Sequence, residues 1–369
     1  MFDNKTILIT GGTGSWGQEL TRQLLEGDDP KEIKIYSRGE EKQVAMMHKF
    51  HNPKLDFIIG DVRDKERLDI QLHGVDVVFH LAALKHVPIC ETHPFEAVQT
   101  NIIGTQNVVS SAIKNKVERG IFATTDKGVD PLNIYGSTKS CAEKLVIAAN
   151  LDSMSETVFS CFRAGNLLGT TGSVVPLFKQ QIKLNNEITL TDKSMTRFFM
   201  PVKETIRLLL KCAEKAVGGE IFVTKMPSLR INDLAEVMMK SLGNSETKMR
   251  VIGIRPGEKI HEILVSKYEK SRAIEEDDYF IVLPNIKIPS IEKKYGKNIK
   301  GIEREFTSEA AHVLDKDGIK KMLEDDGWLD DGIKDLLISK LSEEELKSFG
   351  MWRREQGGSL SPSNSDKER

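Results

Sequence analysis

Residues 6–17 read TILITGGTGSWG. A β-branched run, TILIT, passes directly into Gly11-Gly12-Thr13-Gly14-Ser15-Trp16-Gly17, and the helix-like stretch SWGQELTRQLLEG follows. The glycines fit Gly12-x-Gly14-x-x-Gly17 and equally Gly11-x-x-Gly14-x-x-Gly17. Glycine belongs where a turn takes positive φ and where backbone must approach a pyrophosphate. The helix start then offers unpaired N–H groups and a favourable dipole to an anion. Strand, glycine turn and helix in this order predict a dinucleotide-binding loop that uses Gly11, Thr13, Gly14, Ser15, Trp16 and Gly17.

The same alternation continues outward. EIKIYS (32–37), LDFIIG (55–60), DVVFHLAA (76–83), RGIFATT (119–125) and ETVFSCFRAG (156–165) are almost continuous apolar runs. Such runs are expected of strands covered on both faces of a parallel sheet. Between them lie the helix-like EEKQVAMMHKF, RDKERLDIQLHG, PFEAVQTNIIGTQNVVSSAIKNK, with Pro94 suited to a first turn, and IYGSTKSCAEKLVIAANL. The pattern predicts an α/β fold, a Rossmann-type doubly wound parallel sheet with a smaller, interleaved substrate-binding domain. After residue 165 it loosens into loops, with GEIFVTK (219–225) as one more strand and INDLAEVMMKSLG as one more helix. The expected division is a nucleotide-binding domain over 1–165 with returns to the sheet around 200–225. A substrate-binding region over 166–200 and 226–330 follows, then a C-terminal extension over 331–369. The Ser/Gly-rich end from about 357 is expected to be disordered.

Lys+Arg number 53 against Asp+Glu 55, a net charge of -2 that gives no bulk pull toward nucleic acid or an anionic membrane. The apolar runs are too short to span a bilayer, and neither a signal peptide nor a membrane anchor is expected. Cys90, Cys141, Cys161 and Cys212 are scattered without a C-x-x-C pair and read as reduced thiols of a cytoplasmic protein. The histidines form no metal-binding spacing, so no metal site is expected, and His80, inside an apolar run, reads as a buried structural residue.

The end of the second strand selects the cofactor. An acid there would bind the ribose 2′-hydroxyl of NAD, whereas Ser37-Arg38 suits a 2′-phosphate and predicts NADP. Asp61 and Val62 follow the third strand where adenine's amine would be met. Leu81, Ala82, Ala83 and Lys85 close the fourth strand alongside the cofactor, and Asn101 lies on the helix beyond. Tyr135 and Lys139, four apart, share one helix face. An ammonium beside the phenol favours its ionised form, so Tyr135 can take the proton of an alcohol that gives up hydride to nicotinamide. Thr125 stands at the end of the preceding strand.

ITGGTGSWG, YSR, GDVRD, AALKHVP, TNIIGTQNV, TTDKGVDPLNIYGSTK, RAGNLLGTTGSVVP, MTRFFM and IRPGEKIHE occur in this order over about residues 5–265. Together they resemble the extended short-chain dehydrogenase/reductases, and within these the soluble bacterial UDP-N-acetylglucosamine 4,6-dehydratases of surface-glycan biosynthesis. Extended dehydratases commonly carry Asp-Glu after the strand-end threonine. This group carries Asp-Lys, matched here by Asp126-Lys127. The resemblance implies that Tyr135 and NADP first oxidise C4 of the sugar, which acidifies the C5 proton. Lys127 then removes that proton, Asp126 protonates the departing C6 hydroxyl, and hydride returns to C6. Some related sequences replace the tyrosine by methionine, but this one keeps it.

For these roles Lys127 must be neutral and Asp126 protonated, so the two side chains are expected to diverge toward different atoms of the sugar. By the same resemblance Lys85, His86, Asn166, Val174, Val175 and Pro176 hold the UDP-sugar. Arg197 and Arg255 match a pyrophosphate in charge, and Glu258 suits a ribose hydroxyl. Family members associate through helices corresponding to 94–116 and 135–150, which implies a homo-oligomer. Two other readings use the same nucleotide loop: a UDP-N-acetylhexosamine 4-epimerase, and a non-catalytic NADP-binding regulator. Neither has an evident use for Asp126-Lys127.

Overall fold

The computed structural model describes residues 1–151, 156–170, 172–296 and 299–330. The C-terminal extension over 331–369, including the end expected to be disordered, lies outside the described residues. The chain opens with β1 (Thr6–Thr10), α1 (Ser15–Gly27), β2 (Glu32–Ser37), α2 (Glu40–Phe50), β3 (Leu55–Ile59), α3 (Lys65–Gln71) and β4 (Val77–His80). It continues through α4 (Val87–Thr92), α5 (Pro94–Val98), α6 (Gly104–Lys114), β5 (Arg119–Thr125), α7 (Ile134–Ala148) and β6 (Val158–Ala164). Then come β7 (Asn166–Leu167), α8 (Val174–Asn185), β8 (Glu187–Leu190), β9 (Thr196–Met200), α9 (Val202–Lys215), β10 (Ile221–Thr224), β11 (Ser228–Arg230) and α10 (Ile231–Leu242). The remaining elements are β12 (Lys248–Val251), β13 (Ile263–Val265), β14 (Ala273–Glu275), β15 (Tyr279–Val282), α11 (Pro289–Tyr295), β16 (Phe306–Thr307) and α12 (Lys316–Asp325).

The main sheet runs β3-β2-β1-β4-β5-β6-β10-β15-β14. It is parallel from β3 to β10, and β15 and β14 extend it antiparallel. The apolar runs fold as expected because helices cover both faces: β1, β4 and β10 are buried at every position. Strand order reverses between β1 and β4, so the loops after these two strands diverge and leave a crevice at the carboxyl edge. Ile7, Ile9, Ile35, Val78, Phe79, Ile121, Phe159, Phe162 and Phe222 belong to the large core around this sheet. Phe178, Ile188, Leu190, Phe199, Leu229, Leu234 and Trp328 form a second core with α8, α10 and α12.

Two expectations need correction. The stretch 94–116 is not one helix, because a π-helical turn at Gln99–Ile103 separates α5 from α6. The stretch after 165 holds more than loops before 219, namely α8, β8, β9 and α9. Helix α9 buries Ile206, Leu209, Cys212 and Ala213 on one stripe, a helical period that intervening charges obscured. Beyond α12, Trp328 lies directly over Gly169, where an added Cβ would come within 1.9 Å of the indole. Gly169 also sits at φ +68, so glycine is required there twice over. The Lys179 ammonium donates to the carbonyl of Asp330 at 2.7 Å, which ties α8 to the same segment. Among the described residues no helix is long and apolar enough to cross a membrane.

Candidate active site

The glycine turn lies at the crevice. Gly11 has φ +67, and a Cβ there would stand 2.9 Å from Ala82 Cα. The Thr10 hydroxyl accepts from the N–H groups of Leu81 and Ala82 at 3.2 and 3.3 Å, which pins the β4 exit loop against the β1 exit loop. Gly17, in the first turn of α1, meets the carbonyl of Gly12 at 2.3 Å from an added Cβ, so only glycine fits there. Gly14 occupies the N-cap without a side-chain cap, and the first-turn N–H groups of α1 have no intrahelical acceptor. Trp16 packs edge-on to Phe162 with ring centroids 6.2 Å apart. These features leave a cradle of backbone donors of the kind a pyrophosphate takes.

At the end of β2 the Ser37 hydroxyl accepts from Gln43 at 3.0 Å, and the exposed Arg38 lies 3.9 Å from the Asp61 carboxylate. Asp61 is engaged chiefly by Arg63, at 2.7 Å and 3.0 Å, so its acceptor capacity is shared. Val62 packs against Gly104, where a Cβ would come within 2.7 Å of it. Asn101 departs from the expected cofactor contact. Its Oδ1 accepts from the Leu84 N–H at 2.8 Å, and its Nδ2 donates to the Leu84 carbonyl and to Thr138 at 2.9 and 3.0 Å. The side chain is consumed in tying the β4 exit, which carries Ala83 and Lys85, to the first turns of α7.

Asp126 and Lys127 follow β5 in a short 3-10 turn. Asp126 is fully buried; its Oδ1 accepts from the Thr125 hydroxyl at 2.9 Å and from Lys127 Nζ at 3.0 Å. Its Oδ2 is buried with no hydrogen-bond partner. Lys127 Nζ also donates to Asn166 Oδ1 at 3.0 Å and lies 3.6 Å from Glu262 Oε1. The expected divergence of the two side chains is therefore overturned: they converge into an ion pair. Burial alone would push the Lys127 ammonium down, but the Asp126 and Glu262 carboxylates outweigh it and hold the ammonium above its ordinary range.

Tyr135 sits in the first turn of α7, which Asn133 caps by accepting from the Gly136 N–H at 2.8 Å. Burial pushes its phenol up to about 12, while the Lys127 charge and a hydrogen bond with Thr125 act in the opposite sense. The Lys127 charge thus offsets part of the rise that burial causes. Lys139 donates instead to the Ala123 carbonyl at 2.6 Å, and burial pushes its ammonium down.

On the facing side, Gly172 is covered by the His86 ring, which an added Cβ would strike at 2.3 Å. That contact brings His86 to the start of α8, where Val174, Val175 and Pro176 form the first turn and Ser173 Oγ is buried without a partner. Arg255 lies 3.6 Å from Glu258, and Asn133 donates to the Gly257 carbonyl at 2.8 Å, so the 255–262 segment rests on the α7 cap. Arg197 is no exposed pyrophosphate ligand. It is buried, and its guanidinium donates to the carbonyls of Thr196, Ile260 and Lys259 at 2.7, 3.0 and 2.8 Å. Glu262, 3 % exposed, was not singled out by the sequence reading. The only signal was an acid directly before the apolar run ILV.

Comparison with known proteins agrees with this fold. A family model described as "Polysaccharide biosynthesis protein" matches residues 7–284. A UDP-N-acetylglucosamine 4,6-dehydratase (inverting) of Campylobacter jejuni is 43 % identical over 303 residues, covering 82 % of this chain and 89 % of its own. A protein of Rickettsia canadensis named UDP-glucose 4-epimerase is 43 % identical over 329 residues, covering 88 % and 96 %. The solved structure of Pen from Bacillus thuringiensis superposes with a TM-score of 0.83 at 37 % identity, covering 89 % of this chain and all of that one.

Proposed function

The chain belongs to the polysaccharide biosynthesis protein family, and on that footing we propose that it is a nucleotide-sugar 4,6-dehydratase acting on UDP-N-acetylglucosamine with NADP. The observation that carries the reading is the Asp126–Lys127 pair at the end of β5. One carboxylate oxygen there is buried and unpartnered, and Lys127 beside it donates to Asn166. A buried bare acceptor is costly, and a ligand hydroxyl is the kind of group that would satisfy it.

A nicotinamide dinucleotide fits the residues present. The glycine cradle at Gly11–Gly17 would hold the pyrophosphate, Ser37 and Arg38 the ribose end, and Leu81–Lys85 would line the crevice. Neither Ser37 nor Arg38 is acidic, which favours the 2′-phosphate of NADP. When bound, the cofactor supplies reversible two-electron oxidation at the sugar. The chain's own groups supply the proton chemistry. Tyr135 takes the proton of the C4 hydroxyl. Lys127 takes the C5 proton once a C4 carbonyl has acidified it, and Asp126 protonates the C6 hydroxyl as it leaves as water.

The ion pair is compatible with these roles. An ammonium beside a carboxylate and an amine beside a carboxylic acid hold the same single proton, related by one transfer across a 3.0 Å contact. The product also needs a proton back at C5, which balances the one Tyr135 took from the C4 hydroxyl; the proton taken from C5 rests on Lys127, and the same contact returns it to Asp126. Tyr135, Asp126 and Lys127 then regain their starting protonation.

His86, Asn166, the α8 start, Arg255 and Glu258 would grip the UDP-sugar, with the second core supporting that region. Exposed Phe95 and Ile103 supply apolar surface for a homo-oligomer through the helices over 94–116 and 135–150. The epimerase name of the Rickettsia relative favours a second reading, in which Tyr135 serves C4 oxidation alone. Incubation with UDP-N-acetylglucosamine in deuterated water separates them by proton NMR. Dehydration yields a C6 methyl beside a C4 keto or hydrate signal, with deuterium taken up at C5, and the same reaction in ordinary water keeps the H5 whose coupling reports its configuration; a C4 epimer as the sole product defeats the dehydratase reading. Lys127→Ala is expected to bind NADP as the wild type does and to lose at least ~10²-fold in dehydration, the range of a lost general base.

A further inference from the structure

Glu262 is a buried carboxylate for which the scheme above has no use. Its backbone N–H donates to Ser308 Oγ at 2.9 Å, which fixes it before β13. Its Oε1 lies 3.6 Å from Lys127 Nζ and 3.8 Å from Arg197 Nε. Its Oε2 lies 4.0 Å from Lys259 Nζ and is buried with no hydrogen-bond partner. Burying an incompletely bonded carboxylate is expensive, and a neutral residue of the same shape would fill the space at lower cost. The charge itself is therefore the feature to explain.

We propose that Glu262 is a positioning residue that sets the proton balance of the Asp126–Lys127 pair, fixing the pH range in which the pair holds the single proton that dehydration requires. This rests on the dehydratase reading. With no proton the pair lacks its acid, and with two it lacks its base, so activity follows a bell whose two limbs belong to the pair as a unit. A fixed negative charge nearby raises both limbs, and a positive charge lowers both. The facing groups come from three places. Asp126, Lys127 and Tyr135 belong to the β5–α7 segment, and Arg197 belongs to β9. Lys259 and His261 precede Glu262, with the His261 ring turned to Thr196 at 2.8 Å and to Glu309 at 3.7 Å. Arg197 and Lys259 push the limbs toward acid, and Glu262 offsets them.

The test is the pH dependence of kcat for water loss from UDP-N-acetylglucosamine, with NADP saturating. Glu262→Gln is expected to move both limbs to lower pH by about one to three units, with KM for the sugar changed less than about threefold, whereas Glu262→Asp keeps the bell near its wild-type place. A Gln variant with a lower bell in the wild-type position overturns the proposal, because a purely structural glutamate would behave in that way. Should the Gln variant not fold, Lys259→Met must move both limbs the other way, to higher pH; an unmoved bell in that variant also overturns it. A wild-type enzyme that forms no C6 methyl product defeats the dehydratase reading itself. Wild-type dehydration with an unmoved Gln bell defeats only the role of Glu262.

Discussion

An alanine at position 136 would have nowhere to put its methyl group. Its Cβ would stand 2.1 Å from the Lys127 carbonyl oxygen and 3.0 Å from the carbonyl carbon, both backbone atoms that no rotamer change can move. The first turn of α7 and the Asp126–Lys127 turn are in contact at this point, so Gly136→Ala must part the phenol from the acid–base pair. The expected result is a loss of about 1–3 kcal/mol in denaturant unfolding, with kcat for dehydration falling more than KM rises. The chemistry of Tyr135, Asp126 and Lys127 was legible as residue types in a motif, but their geometry was not. The convergence of the two neighbours depends on Asn166, 39 residues from Lys127 in sequence, and on Glu262, which is farther still. A local reading cannot weigh partners that only the fold brings near.

Among the elements, the π-helical turn at Gln99–Ile103 has the clearest task. It interrupts what the composition presents as one helix, and its Asn101 holds the backbone of Leu84 from both sides as well as Thr138. Thr138 in turn donates to the Tyr135 carbonyl at 2.8 Å, so the turn joins the β4 exit to the segment that presents the phenol. Asn101→Ala leaves the N–H and carbonyl of Leu84, both partly buried, without those partners and is expected to cost about 1–3 kcal/mol in thermal or denaturant unfolding, because water can meet part of their need. Steady-state kinetics should show a reduced kcat at nearly unchanged sugar KM. The parallel strands were legible because β1, β4 and β5 are dense apolar runs. After 165, β10 and α10 were legible in GEIFVTK and INDLAEVMMKSLG, but β7 and β8 were not, for a physical reason: β7 has two residues, and β8 pairs with β12 across roughly sixty residues of chain, so neither carries a local period to read.

At the scale of the whole molecule, two buried groups make stability depend on pH in the same sense. His80 bridges Thr10 and Thr105 inside the sheet, and burial lowers its imidazole from 6.5 to about 3. Glu269 would be raised by burial, but the Arg163 guanidinium, which it shares with Glu143, holds it down from 4.5 to about 2. The unfolded chain takes up a proton at His80 below pH 6.5, whereas the folded chain takes none there until about pH 3. At Glu269 the corresponding window runs from 4.5 down to about 2. In both windows the unfolded state binds more protons, so these contributions are complete above pH 6.5 and erode as pH falls. The melting temperature is expected to decline from about pH 6.5 and to steepen below about 4.5, with each group contributing up to ~1.4 kcal/mol per pH unit. A melting temperature flat between pH 6.5 and 4.5 would show that His80 is not held neutral.

The contact of Trp328 with Gly169 has a consequence in time. During synthesis Gly169 emerges about 160 residues before the indole that covers it, an interval on the order of ten to thirty seconds at ~5–20 residues per second. The large sheet gains its last strand at Val282, well before Trp328 appears. A nascent chain can therefore complete its nucleotide crevice while Gly169 still lacks its cover. That glycine is sealed last, by a residue from the far end of the described chain.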